Sequence, residues 1–234
     1  MLATRELLDL AELADVKGWR LALVGDPLQF SAVGRGEMFG LLVDTFGAVE
    51  HDRVHRFDHE WERDAGLLLR AGDVRAAEIY NAHGRLHGGT REQMQTDIVA
   101  RWWDHRHHAE AALMMAPSVD AVEVLNHRAQ QLRIHAGELH TDGRHTTAGR
   151  YEVYVGDEIA TRHNDRRLRT DRGDMVRNRA TWTVDLIHRD GALTATGPGG
   201  TVHLPADYVR LHVELGYAHT GIAGQGSTVH TGLA

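Results

Sequence analysis

The sequence contains no cysteine and only one lysine among its 234 residues. The absence of cysteine excludes disulfide scaffolds, thiolate zinc sites, cysteine nucleophiles and iron–sulfur clusters. Of the 26 basic residues only Lys17 is a lysine, so any chemistry that needs an ammonium must use Lys17 or do without. No apolar run approaches the roughly 18 to 20 residues that span a bilayer, and no membrane partner is expected. The opening MLATRELLDLAELAD mixes acids with apolar residues and lacks the regions of a signal peptide, so a cytoplasmic location is expected. A formal charge of −7 provides no global field for nucleic acid. Any DNA site would have to be local. The rest is ordinary for a folded chain, with 42% hydrophobic and 25% charged residues. At roughly 150 residues per domain, this length predicts one or two domains.

Thr4 is placed to cap a first helix with Leu7, Leu8, Ala11 and Leu13 or Ala14 on its apolar side. Residues 19–24 (WRLALV) read as a strand buried on both faces, ending at the turn Gly25-Asp26-Pro27. A helix over 37–45 follows. This order predicts an α/β layer with a parallel sheet, whose functional loops lie at the carboxyl ends of its strands. Helical periodicity covers 61–69, 74–80 and 90–103, with Thr90 and Gln93 forming a capping box. Residues 111–116 (AALMMA) read as a second buried strand, and Pro117-Ser118 opens a helix through Val122, Leu125, Ala129 and Leu132. Beyond about Gly137 the segments YEVYV, EIAT, ATWTVDLIHR, ALTAT and TVHLP are short and β-branched, which predicts a small antiparallel barrel inserted into the α/β domain. HVELGYAHT then reads as a strand before the Gly-rich GIAGQGST.

The buried strand that delivers Gly25, Asp26 and then Gln29 puts an acid and an amide at a sheet edge, where such groups sense a phosphate or its attacking water. A strand that simply ends in a polar turn accounts for the same residues. GDPLQF followed by AVGRG resembles motif III (GDxxQ) of superfamily 1 helicases, especially the RecD-like branch. The wider pattern resembles the helicase half of MobF-type (TraA/TrwC-like) conjugative relaxases. Val54-His55-Arg56-Phe57 before Trp61-Glu62 resembles the family's arginine motif, and RAGD, Tyr80 and HGRLHGG its helical segment. APSVDAVEVLNHRAQ resembles the start of the second RecA-like domain. Tyr217-Ala218-His219-Thr220 with Gly224-Gln225-Gly226-Ser227-Thr228-Val229 resembles motif V.

The resemblance implies an α/β fold of partial tandem RecA-like (P-loop NTPase) domains with an inserted SH3-like β-barrel. It places the end of the first RecA-like domain in 1–57 and a helical connector in 58–108. The second RecA-like domain would occupy 109–150 and 211–234, around an insertion at 151–210. Gln29 would contact the γ-phosphate or its water, and Arg56 would act as an arginine finger. Gly25, Asp26, Gly224, Gln225 and Gly226 would line the nucleotide, and Thr220, Ser227 and Thr228 would touch DNA. The intact parent would use ATP and Mg²⁺ to move 5′ to 3′ along single-stranded DNA.

The sequence also departs from the family. It has no G-x-x-x-x-G-K-[ST], in which the lysine reaches the phosphates and the hydroxyl holds Mg²⁺, because Lys17 lies between Val16 and Gly18. Nor does an apolar strand ending in Asp-Glu precede Leu21. Ile222 and Ala223 stand where the family's motif V has a His and a basic residue. The family's last motif, with its second phosphate-contacting arginine, would lie beyond Ala234. The chain is therefore expected to be an internal fragment that does not hydrolyse ATP alone, its partner being the missing N-terminal part of the same helicase. The rival reading is a non-catalytic remnant that binds single-stranded DNA.

Residues 162–179 hold seven arginines against three aspartates, a net of +4. Arg162, Arg166 and Arg167 are candidates for DNA phosphates, with Trp182 as a stacking partner, and a solvated hairpin with internal Arg–Asp pairs is the alternative. His51, His55 and His59, and again His83 and His87, recur at four-residue spacing. HEWER fails the HExxH pattern, and ordinary surface histidines explain the rest, so no metal site is expected. GRGEMFG misses the dinucleotide fingerprint by one residue and lacks a preceding strand, which excludes a Rossmann reading.

Overall fold

A computed structural model describes residues 3–27, 29, 38–50 and 57–234. These divide into two compact units, 1–87 and 88–234.

The first unit is helical: α1 (Thr4–Lys17), α2 (Met38–Phe46), α3 (Glu60–Arg70) and α4 (Arg75–Ala82). Thr4 is the first helical residue and not the cap. Ala3 holds that position, and its N–H donates to Glu6 Oε2 at 2.8 Å. Gly18 ends α1 in the left-handed conformation at φ 64°, a geometry glycine adopts without steric cost. Of the expected apolar side only Ala14 is buried. Helices α3 and α4 pack together through the small buried residues Ala65 and Ala76, with Trp61 edge-on to Tyr80 and stacked on His83 at 3.8 Å.

The strand expected at 19–24 does not form. These residues carry no regular structure, and Leu21, Leu23 and Val24 are exposed. A parallel strand exists only through the ladder its neighbours supply, and no described strand pairs with this run.

The second unit opens with α5 (Arg91–His107), capped by Thr90, whose hydroxyl accepts from Gln93 N while Gln93 Oε1 accepts from Thr90 N. Next comes β1 (Ala112–Ala116), as its apolar run requires, and then α6 (Val119–His135), capped by Ser118 accepting from Ala121 N. Helices α5 and α6 pack on β1 and bury Val99, Trp102, Val122, Leu125 and Ala129.

Short strands follow: β2 (Thr146–Ala148), β3 (Tyr151–Val153), β4 (Glu158–Thr161), β5 (Asp165–Arg169), β6 (Met175–Val176), β7 (Thr181–Ile187), β8 (Leu193–Gly197) and β9 (Gly200–Leu204). The chain ends in α7 (Ala206–His212), β10 (Val213–Leu215), β11 (Ala218–Thr220), α8 (Gly221–Gly224) and β12 (Thr231–Leu233). Three strands form a parallel sheet in the order β11-β1-β12. Five form an antiparallel sheet in the order β10-β4-β7-β8-β9, with the ribbons β2–β3 and β5–β6 beside it. This sheet is open, with β10 and β9 as its edges, and no closed barrel forms among the described strands. Strand β7 buries Trp182 and Val184 by alternation, then shifts register after Val184, so that Ile187 rather than Leu186 turns inward. One extra residue in a strand has this effect.

HVELGYAHT is two strands and not one. It leaves the antiparallel sheet after β10 and enters the parallel sheet at β11. Gly216 makes the switch possible, because a Cβ there would lie 2.8 Å from the Ile159 carbonyl carbon and 2.9 Å from its oxygen. Gly216→Ala should therefore force these backbones apart and destabilise the fold by about 1–3 kcal/mol. Urea unfolding of the pair measures it, and equal midpoints with equal slopes would refute the close-approach argument.

Candidate nucleotide and nucleic-acid residues

In the first unit the turn after residue 24 is organised around Asp26. Arg70, in the last turn of α3, grips its carboxylate with both terminal nitrogens, Nη1 to Oδ2 at 3.0 Å and Nη2 to Oδ1 at 2.8 Å. Gln29 folds back on the same residue: its N–H donates to the Asp26 carbonyl at 3.3 Å and its Nε2 to Oδ2 at 3.3 Å. Gly25 lets the Phe39 ring of α2 close over the turn, since a Cβ there would sit 3.3 Å from that ring. A two-pronged guanidinium–carboxylate pair holds its partners in a defined plane. Asp26 and Gln29, three apart, come together as expected. Arg70 was not among the expected residues, and its separation of 44 positions from Asp26 leaves no sequence signal beyond a basic residue at a helix end. Arg56 lies outside the described residues.

In the second unit β11 runs parallel to β1, with Thr220 level with Ala116, so both strands deliver their carboxyl ends to one edge. Thr220 caps α8, its hydroxyl accepting from Ala223 N at 3.2 Å. Gly224 is buried against β1, where a Cβ would lie 3.0 Å from Met115 Sδ. Gly226 has φ 87°, and Ser227 N donates to the Gly224 carbonyl at 3.1 Å. Gln225 is half-buried and Thr228 exposed.

Beside this edge lies a cavity of about 230 Å³. Its charges come in pairs, Arg150 with Glu123 at 2.8 Å and Arg162 with Glu214. His219 lines it too. Burial first, and then Arg162 and Arg179, push its pKa below the ordinary 6.5. Arg179, absent from the expected set, has φ 68° and donates to the Ile222 carbonyl at 2.7 Å, which ties the end of the arginine-rich segment to α8.

The arginine-rich segment forms the β5–β6 ribbon, and its arginines are not equivalent. Arg167 pairs with Asp165 through two contacts of 3.1 and 2.9 Å, and the pair holds the Asp165 carboxyl down at about 2. Arg169 donates to the Gly173 carbonyl. Arg166 and Arg177 are exposed and make no ion pair or side-chain hydrogen bond among the described residues. Trp182 is 5% exposed, with Nε1 directed at Thr161 Oγ1. It is a core residue of the sheet, and the stacking role expected of it is closed to a ring so buried.

The AAA domain family matches residues 1–91, a span that contains Asp26, Gln29 and Arg70. Conjugal transfer protein TraA of Agrobacterium fabrum (strain C58) is 28% identical over 202 residues, 81% of this chain and 18% of that protein. The protein of that name from Rhizobium radiobacter is 28% identical over 235 residues, 98% of this chain and 21% of that one. A probable conjugal transfer protein TraA of Sinorhizobium fredii is 27% identical over 139 residues, 58% of this chain and 13% of that one. The chain is TraA-like. It spans about a fifth of the length of the Agrobacterium and Rhizobium relatives, and the TraA-like match to the latter runs through both units. Among the described residues no helix is long and apolar enough to cross a membrane.

His219 yields a pH dependence of defined sign. Its folded pKa is depressed, so below pH 6.5 the unfolded chain takes up a proton that the folded chain refuses. Stability attributable to His219 is therefore intact above pH 6.5 and lost as pH falls toward the folded value. His219→Gln should shrink the drop in urea midpoint between neutral and mildly acidic pH. An identical drop in both proteins would show that His219 is not buried in this way.

Proposed function

We propose that the chain is the helicase region of a conjugative relaxase, a RecD-like ATP-driven translocase on single-stranded DNA. One observation carries the reading: a TraA-like likeness over nearly the whole chain, in which the AAA-matched part contains Asp26 held by both Gln29 and Arg70. In this reading Gln29 and Arg56 face the nucleotide, with Gly25 and Asp26 behind them. Thr220, Gly224, Gln225, Gly226, Ser227 and Thr228 form the edge shared by nucleotide and DNA. Strands β3 to β9, within 151–210, are the SH3-like insertion, and β2 and β10 belong to the second RecA-like domain within the limits the resemblance implies.

The residues of this chain do not by themselves fit ATP and Mg²⁺. The carboxylate at the candidate turn is already neutralised by Arg70, and the sequence has no phosphate-loop lysine. Both would come from a part of the parent outside these 234 residues. Alone, the chain should show no ATP hydrolysis above background. A rate that vanishes in Gln29→Ala would overturn that.

Unpartnered Arg166 and Arg177 favour the binding half of the proposal, which the rival non-catalytic reading shares. The chain should bind an oligo-dT strand more weakly as salt rises, with a slope of roughly −0.7 per phosphate neutralised. Replacing Arg166 and Arg177 by Ala should lower affinity several-fold and flatten that slope. Arg167→Ala should change it less, because Asp165 already occupies that guanidinium. No binding at low salt would remove the DNA reading altogether.

A further inference from the structure

A second basic cleft lies at the opposite end of β7 from Arg179 and α8. Its walls are the approach to β2 (Arg144, His145) with Thr147 of β2 itself, and the turn after β7 (His188, Arg189), around an open cleft of about 590 Å³. Six residue steps of β7, at about 3.3 Å each, put it roughly 20 Å along the strand from the candidate interface.

The arginines here differ from those of the first cavity. Arg150 and Arg162 each have a carboxylate partner, whereas Arg144 and Arg189 are exposed and make no hydrogen bond or ion pair through their side chains among the described residues. The acid on the rim, Asp190, is turned to the backbone, where its Oδ1 accepts from Ala192 N at 3.1 Å. The two walls are fastened together by Thr146 Oγ1 donating to the Gly191 carbonyl at 3.2 Å. Gly191 has φ 88°, and a Cβ there would come within 3.0 Å of the same hydroxyl, so the turn is held close. His188 is oriented by a 2.9 Å contact between Nε2 and Thr194 Oγ1, and by the His203 ring packed edge-on at 4.9 Å. Thr147 offers an exposed hydroxyl.

Two planar guanidiniums and a hydroxyl on a fastened frame form a donor-rich, acceptor-poor surface. This donor set matches the oxygens of a phosphate, which an arginine can grip with two parallel bonds. Its frame is already in place, so little ordering is needed on binding. We propose that the cleft between Arg144 and Arg189 is a phosphate-binding site. Its assignment to a phosphodiester of the bound strand rests on the DNA reading above, whereas the phosphate chemistry does not.

The full chain tests this with two probes, inorganic phosphate and oligo-dT. Proton NMR follows the rings of His145 and His188, and anisotropy follows strand affinity. Arg144→Gln with Arg189→Gln changes only exposed side chains, and a thermal melt checks the fold. Inorganic phosphate should move both histidine signals in the parent and neither in the double variant. The double variant should bind oligo-dT about tenfold more weakly, with a salt slope smaller by about 1.4, twice the single-strand value of roughly 0.7 per contact. Histidine shifts with phosphate but no strand binding by the parent would sink the DNA reading and keep the site, as one for free phosphate. Strand binding that is equal in parent and double variant, with histidine signals indifferent to phosphate, would overturn the site and leave the DNA reading standing.

Discussion

The second unit depends on one buried contact, the Tyr217 hydroxyl donating to the carboxylate of Asp157. Asp157 is fully buried, and burial raises its pKa despite three donors: the Tyr217 hydroxyl, Tyr154 N and Gln130 Nε2, the last two at 2.8 Å. Arg133, itself 5% exposed, completes the group by donating to the Tyr217 hydroxyl at 2.9 Å and to the Gly156 carbonyl at 2.8 Å. A buried charge without partners costs several kcal/mol. Here the acid and the guanidinium meet at the phenol, and Arg133 also pairs with Glu138 at 2.8 Å, so removing the phenol costs each of the two buried groups one partner. Trp102 packs edge-on against the Tyr217 ring, and Arg106 lies over Trp102 while reaching Glu138 and Glu158. Helices α5 and α6 are thereby tied to β4 both through the phenol, which accepts from Glu158 N at 3.4 Å, and through the Arg106–Glu158 pair.

This knot sits where the chain passes from one sheet to the other. Tyr217 follows Gly216 directly and precedes β11, so its anchorage fixes where β11 begins. Asn126 of α6 clamps the same junction from the other side. Its amide nitrogen donates to the Leu215 carbonyl at 3.1 Å, and its oxygen accepts from Ala218 N at 2.8 Å. These two bonds satisfy backbone groups that neither sheet supplies, each worth about 1–3 kcal/mol if left unmet in the interior. Thr220, three residues beyond Tyr217, is consequently held level with Ala116 at the carboxyl edge of the parallel sheet. The candidate edge is thus positioned by buried polar groups, of which Asn126 also lines the cavity beside that edge.

Elements whose cause is local were legible in the sequence. The Thr90–Gln93 box, the Ser118 cap and the apolar run of β1 each carry their own physical reason within a few residues. Turn-bounded segments located β3, β4, β7, β8 and β9 for the same cause. What failed depended on partners far along the chain. Residues 19–24 have the composition of a buried strand, yet no described strand pairs with them. HVELGYAHT looked continuous because only the contact with Ile159 reveals why Gly216 must interrupt it. Trp182 looked like a stacking ring until β7 placed it in the core. Tyr217 and Asp157 are separated by 60 positions, and Arg70 and Asp26 by 44, so neither pair leaves a pattern that periodicity can detect.

Distribution of charge was legible only in sum. Counting gave +4 to residues 162–179, but the capacity to meet a phosphate depends on what each guanidinium already holds. Arg167, Arg162 and Arg150 have carboxylates, and Arg169 and Arg179 have backbone carbonyls. What remains for an anion in these two regions, among the described residues, is a smaller set, Arg166, Arg172 and Arg177 on the ribbon and Arg144 and Arg189 on the cleft at the far end of β7. In a chain of net −7 this selection matters more than the total, because the long-range field is unfavourable and only contacts within about a Debye length, roughly 8–10 Å in physiological salt, work against it. Attraction of a polyanion to such a surface must come from a few unpaired arginines held on rigid strands. The polar knot around Tyr217 keeps β4, and through it the rest of that sheet, in register.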